Sequence, residues 1–326
     1  MPDLSTSYMG LSLRNPVIVG SSGLTNSVEK IIECEQAGAG AVVVKSLFEE
    51  VLAHEDSGLE KFSTSSSEAQ DYLNSEIQLQ FSPNQYCDLI AAAKTKVKIP
   101  VIGSINCVST QCWPEFAKII EAAGADALEL NIYSIPTDTT IPGVTYETLY
   151  YEVLENVKSK IKIPVAMKIG RYFTSLPHLI SQLDKNGVDA VVFFNRFTEP
   201  DIDIDHLKLR TTFTFSSDDD MYPVLRWVIL IADKVKCDIS ATTGIHTAQA
   251  IIKFLLAGAQ TVQLASVLYQ EGLSKLTRMI QEIENWMAAN SFESVDQFRG
   301  KVNFSSQRKP EIYLRAQFME KIRNID

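Results

Sequence analysis

Residues 37–46 read AGAGAVVVKS, and the phrase returns as AAGADALELNI (122–132), NGVDAVVFFN (186–195) and AGAQTVQLASV (257–267). In each, a helical stretch ends in glycine or alanine, as a tight or left-handed turn requires, and the apolar run that follows suits a strand buried on both faces. A second phrase alternates with the first. VKIPVIGSIN (97–106) and IKIPVAMKIG (161–170) open a strand with proline, where its missing N–H is tolerated, and VKCDISATTG (235–244) is a looser copy. With PVIVGSSG near the start, eight strands are predicted, at 16–22, 41–46, 100–106, 127–132, 164–169, 189–195, 238–243 and 261–266. NSVEKIIECEQAG, WPEFAKIIEAAG, TYETLYYEVLENVKSK and TAQAIIKFLLAG, which lie between them, carry apolar residues at three- and four-residue spacing, the mark of amphipathic helices. Strand and helix alternating eight times imply an α/β protein with a parallel sheet closed into a (β/α)8 TIM barrel. The rival, an open doubly wound sheet, normally carries a GxGxxG turn after an early strand, and the chain has none.

The 326 residues suffice for one such barrel with insertions, so a single domain over 1–326 is expected. Three stretches exceed the repeat. Residues 1–15 read as an N-terminal hairpin turning at Gly10 and plugging the barrel floor. Residues 47–83 and 196–220 read as long loop insertions after the second and sixth strands, on the face where barrels keep their sites, and residues 290–326 as a C-terminal extension across the outside or base.

Charged residues make up 21% and the net charge is −10, which argues against a nucleic-acid partner, since phosphate binding needs a basic face. No apolar run approaches a membrane span and no signal peptide opens the chain. Cys34, Cys87, Cys107, Cys112 and Cys237 are dispersed without CxxC spacing, which reads as reduced thiols in a cytoplasm and provides no metal or iron–sulfur ligand run. No metal site is therefore expected.

In a barrel the chemistry comes from the carboxyl ends of strands. Here those ends hold Ser21 and Ser22, Lys45 and Ser46, Asn106, Asn131, Lys168, Asn195, Thr242 and Thr243, and Ser266. Lys45 and Lys168 each close an apolar strand, where an ammonium is costly unless paired with an anion or a polar ligand. The bland alternative is that one of them reaches solvent or pairs with a neighbour such as Glu49. Thr243-Gly244 and Ala265-Ser266 stand at the turns after strands seven and eight, the usual phosphate cradle of barrels, although a plain helix cap looks similar. Of the histidines, His246 alone is close to that cradle.

In order and spacing, NPVIVGSSG, AGAGAVVVKS, ELNIYS, PVAMKIG, VVFFN, YPVLRWV, TTGI, VQLASVLYQEG and VDQFRGK resemble the dihydroorotate dehydrogenase family, nearest its soluble class 1 branch. The resemblance implies an FMN-dependent oxidoreductase of pyrimidine biosynthesis acting on dihydroorotate or orotate. It implies that Ser21, Ser22 and Gly23 lie along the flavin. Lys45 and Ser46 would touch flavin and substrate, with Asn106 also on the cofactor. Lys168 would stand by the flavin N1 and O2 as a catalytic charge, and Asn131 and Asn195 would hold substrate and cofactor, with Asn74 joining them from the insertion. Thr243, Gly244, Ala265 and Ser266 would hold the phosphate. Ser134 would be the base, at a position where soluble members carry cysteine and membrane-linked members serine.

The chain departs from the pattern in places. One residue is added before Pro136, the segment around Asn74 reads LNSEIQLQF where the family has Gly-Leu-Pro-Asn, and FSSDDDM replaces a glycine-rich turn. These changes keep two alternatives in view: a related flavin reductase acting on another cyclic amide or enone, and a flavin-binding paralogue without turnover. The expected partners are a small-molecule substrate, a second copy in a homodimer and an electron-transfer subunit.

Overall fold

The computed structural model describes residues 2–49, 82–107, 110–132, 135–196, 200–211 and 215–306. In chain order its strands are β1 (Thr6–Tyr8), β2 (Leu11–Leu13), β3 (Val17–Val19), β4 (Ala41–Val43), β5 (Leu47–Phe48), β6 (Val101–Asn106), β7 (Ala127–Asn131), β8 (Val165–Ile169), β9 (Ala190–Phe193), β10 (Pro200–Asp203), β11 (Lys208–Thr211), β12 (Asp238–Thr242) and β13 (Thr261–Leu264). The helices are α1 (Val28–Gln36), α2 (Pro83–Lys96), α3 (Cys112–Ala122), α4 (Gly143–Lys158), α5 (Leu176–Lys185), α6 (Met221–Ile231), α7 (Ala248–Ala257), α8 (Ser266–Glu271) and α9 (Ser274–Ala289). Eight strands, β3, β4, β6, β7, β8, β9, β12 and β13, pair in parallel around a closed ring, with Val17 opposite Val262 at the seam. The (β/α)8 barrel expected from the repeated phrases is the observed architecture.

Alternation within the strands builds two layers of core. Val17, Val19, Val42, Leu128, Leu130, Met167, Val191 and Val262 face outward onto the helices. Ile18, Ala41, Val43, Ile102, Ala127, Ala166, Ala190 and Val192 face inward and pack against Tyr8, Met9 and Leu13 of the β1–β2 hairpin. Small inward residues on four strands leave the room that the hairpin fills, so the floor is apolar and closed. Met9 at φ 54° and Gly10 at φ 75° make the tight turn that aims Tyr8 into the barrel. Higher up, the same inward rows become polar: Ser104, Glu129, Lys168, Ser240 and Gln263. The interior thus runs from oily floor to polar mouth.

The repeated phrases also encode repeated braces. Glu35 Oε1 accepts the N–H groups of Lys98 and Ile99 (2.7 and 3.1 Å), and Glu121 Oε1 those of Lys162 and Ile163 (2.6 and 3.0 Å). Asp184 Oδ1 does the same for Lys236 and Cys237 at 3.0 and 2.7 Å. Asp126 joins Lys94 to the Val101 N–H, and Asp189 joins Lys158 to the Val165 N–H, with all four contacts between 2.6 and 2.8 Å. Each carboxylate satisfies donors that the strand ladder leaves open at its start.

Four strands stop earlier than the apolar runs suggest. β3 ends at Val19, β4 at Val43, β9 at Phe193 and β13 at Leu264. Single backbone bonds continue just past three of these ends, from Gly20, Val44 and Asn195 N–H to the Leu264, Ile102 and Ile169 carbonyls, and beyond β4 the Ser46 N–H donates to Ser21 Oγ at 2.9 Å. Residues 196–220, expected as a loop, contain the antiparallel β10–β11 hairpin, with Ile202, Ile204, Leu207 and Leu209 exposed. Most of the 47–83 insertion, Asn74 included, lies outside the described residues. At the base, the segment after α9 packs Phe292 and Phe298 on Trp286, and the Asp3 N–H donates to the Glu293 carbonyl at 2.7 Å.

Candidate active site at the barrel mouth

A cavity of about 380 Å³ opens at the carboxyl ends of the strands. Among the residues singled out from sequence, Ser21, Asn106, Asn131, Lys168, Asn195, Thr242, Thr243, Gly244, Ala265 and Ser266 line it. Ser46 stands behind the wall. Its hydroxyl meets Ser21 Oγ at 3.0 Å and Ser104 Oγ at 2.7 Å, and it accepts from Asn131 Nδ2 at 3.5 Å. Ser22 is occupied locally, donating to the Gly20 carbonyl and capping the turn at Gly23 through Leu24 N–H. A Cβ on Gly23 would come within 2.6 Å of the Tyr269 hydroxyl, so that position tolerates only glycine without movement. Lys45 is half-buried and is not among the cavity-lining residues. Ser134 and Asn74 lie outside the described residues.

The amides divide their work. Asn195 Nδ2 donates to the carbonyls of Ile132 (2.9 Å) and Lys168 (3.4 Å), tying the ends of β7 and β8 together. Asn131 Oδ1 is buried with no hydrogen-bond partner among the described residues, which is costly for a polar atom unless a donor satisfies it. Lys168 Nζ donates to Gln263 Oε1 at 3.4 Å and stands 3.8 Å from Glu129 Oε1, its side chain 13% exposed. The ammonium expected to need a polar partner therefore has one inside the barrel, with its tip at the cavity wall.

In the turn that follows β12, Thr243 and Gly244 both adopt positive φ (81° and 73°). A Cβ on Gly244 would lie 2.2 Å from the Met221 nitrogen at the start of α6, so the turn and that helix end are in close contact. Ser266 Oγ accepts from the Ser216 N–H at 3.3 Å, and Ser216 Oγ meets His246 Nε2 at 3.0 Å. His246 thus reaches the cavity through Ser216.

Sequence reasoning missed Phe48, Phe194, Arg196, Ser216, Ile245, Gln263 and Leu264, which also line the cavity. Gln263 was readable: it shares inward parity with Thr261 in an apolar strand. Glu129 was readable in the same way, two residues before Asn131. Arg196 and Ser216 sit at the two ends of an insertion whose placement on the barrel no repeat specifies.

Known proteins resemble the chain along most of its length. The family model described as dihydroorotate dehydrogenase matches residues 3–287. The catalytic subunit of dihydroorotate dehydrogenase B (NAD(+)) from Thermoplasma acidophilum is 28% identical over 92% of this chain and 99% of its own. Its namesake from Thermoplasma volcanium is 26% identical over 92% and 98%. The NAD-dependent dihydropyrimidine dehydrogenase subunit PreA of Escherichia coli is 24% identical over 92% of this chain and 77% of its own. With the family match spanning the barrel and its mouth, the chain belongs to the dihydroorotate dehydrogenase family, oxidoreductases that act on CH–CH bonds.

Proposed function

We propose that the protein, as one FMN-binding domain over residues 1–326, moves hydride between a dihydropyrimidine-type ring, dihydroorotate or orotate, and FMN held in the barrel mouth. The observation that carries this reading is the convergence of one buried ammonium, Lys168, with Asn106, Asn131 and Asn195 on a single cavity. The residues fit the cofactor. Asn131 Oδ1 awaits a donor, the Thr243-Gly244 turn offers N–H groups for a phosphate, and about 380 Å³ lies within the range of small-molecule sites.

Bound there, FMN would supply the hydride acceptor. Lys168 places a positive charge where negative charge develops on reduction, a preorganised stabilisation. Asn131 and Asn195 orient the substrate amides, with Asn74 in support, and Lys45 and Ser46 bear on substrate and cofactor edges. Ser21, Ser22 and Gly23 run along the cofactor, and Thr243, Gly244, Ala265 and Ser266 hold its phosphate. Ser134 takes the substrate carbon proton and passes it to water or a neighbouring group. The wall of Phe48, Phe194, Ile245 and Leu264 excludes water from the reacting atoms.

The test is an absorbance spectrum of the purified protein. A visible flavin band that bleaches anaerobically on adding dihydroorotate supports the reading, and a protein that binds no added FMN overturns it. A band indifferent to dihydroorotate but bleached by a plain dihydropyrimidine selects a second reading, a reductase for another cyclic amide. That reading is favoured by the likeness to the dihydropyrimidine dehydrogenase subunit and by LNSEIQLQF around Asn74.

Among the described residues no helix is long and apolar enough to cross a membrane. The proposal includes a cytoplasmic homodimer and an electron-transferring partner subunit; the name "catalytic subunit" carried by several relatives supports the latter.

A further inference from the structure

Glu129 is a buried carboxylate that the proposed chemistry leaves unused. It sits mid-strand in β7, 1% exposed, two residues below Asn131 on the inward face. An ionised carboxylate at that depth is costly unless paired and hydrogen-bonded. Its Oε2 accepts from Gln263 Nε2 at 2.6 Å, and its Oε1, which has no hydrogen bond among the described residues, lies 3.8 Å from Lys168 Nζ. Gln263 presents the other end of its amide to the lysine, Oε1 accepting from Nζ at 3.4 Å. In that amide orientation both contacts are favourable; flipped, it would face an NH2 to the ammonium and an oxygen to the carboxylate.

Three strands, β7, β8 and β13, thus contribute one side chain each to a closed triangle. Lys168 and Gln263 reach the cavity, and Glu129 lies beneath them. From the floor Tyr8 packs upward, its hydroxyl kept protonated by burial and next by the negative charge of Glu129. An ammonium held away from water in so dry a place is stabilised by an anion beside it.

We propose that Glu129 is a positioning residue whose charge, shared through Gln263, keeps the Lys168 ammonium ionised and seated at the cavity wall. The functional consequence rests on the FMN reading above; the charge relation itself does not.

The test starts on the full chain stripped of cofactor. Trace acetylation by acetic anhydride, read by mass spectrometry against Lys94 as internal reference, reports how often Lys168 is a free amine. Glu129→Gln raises the Lys168 rate about tenfold, since an opposite charge at this distance is worth about one pKa unit or more. Glu129→Asp, which keeps the charge, stays within about threefold of the parent, a rescue that a packing defect would not show. Gln263→Met, which removes the relay and keeps the carboxylate, gives a smaller rise. An unchanged Lys168 rate in whichever of Glu129→Gln and Gln263→Met folds overturns the proposal. In the flavin-loaded protein, Glu129→Gln slows reduction by substrate at least about tenfold with FMN affinity held within about threefold. A parent protein that binds no FMN defeats the proposed function while the acetylation comparison still decides the role of Glu129.

Discussion

Lys168 and Gly244 both line the mouth and answer to different experiments. Replacing Lys168 by Met removes the charge, keeps the bulk and leaves Glu129 with Gln263 as its hydrogen-bond partner, so the variant is less stable, and in the folded protein flavin reduction by substrate falls about 10²–10³-fold. Stopped-flow absorbance measures it, and an undiminished rate would remove Lys168 from the reaction. Gly244→Ala acts through sterics. A methyl group there meets the Met221 backbone at 2.2 Å from a positive φ, so either α6 or the turn must move. The expected cost is about 1–3 kcal/mol of stability together with weaker FMN binding, read by thermal melting and by fluorescence titration. At this scale the sequence was partly legible. The polar strand ends announced a site because ammonium and amide groups closing apolar strands need partners. Nothing in AGAGAVVVKS showed where β4 would end, at Val43 and not three residues later, and it is that end which sets how Lys45 and Ser46 approach the mouth.

The hairpin and the braces are the elements on which the barrel is built. Tyr8 is fully buried among inward alanines, so Tyr8→Ala opens a void at the floor and costs about 3–5 kcal/mol in chemical denaturation, by analogy with large aromatic truncations. Asp126 and Asp189 are part-exposed, and each still receives a strand-opening N–H besides its lysine. Solvent screening trims the ion-pair share, so Asp126→Asn or Asp189→Asn costs only about 1 kcal/mol each, and the double variant is additive if the two braces act independently. The eight strands were legible as elements because burial on both faces demands continuous β-branched runs. The β10–β11 hairpin was not, because PDIDIDHLKLRT carries its alternation inside a segment whose placement on a barrel no repeat unit specifies.

Taken whole, the molecule is a barrel stopped at one end and open at the other, and its pH response belongs to the stopped end. Asp238 begins β12 and accepts the Met9 N–H at 2.6 Å, with burial pushing its carboxyl above the ordinary range. A folded-state value above the unfolded one means that folding favours the protonated form. The penalty is absent below the unfolded value, grows as pH rises toward the folded value and is complete above it. Asp238→Asn, which keeps an acceptor for Met9, therefore raises the denaturation midpoint at neutral pH, and its advantage over the parent vanishes in acid. A variant no more stable than the parent at neutral pH would assign the burial cost of Asp238 elsewhere. The seam between β3 and β13 has a further consequence for biogenesis. Val17 leaves the ribosome early, yet its neighbour Val262 is among the last barrel residues made. At translation rates of roughly 5–20 residues per second, the first strand waits on the order of 10–50 s with one edge unpaired. During that interval the nascent chain is a sheet with two raw margins, and its protection falls to the chaperones that meet it on the ribosome.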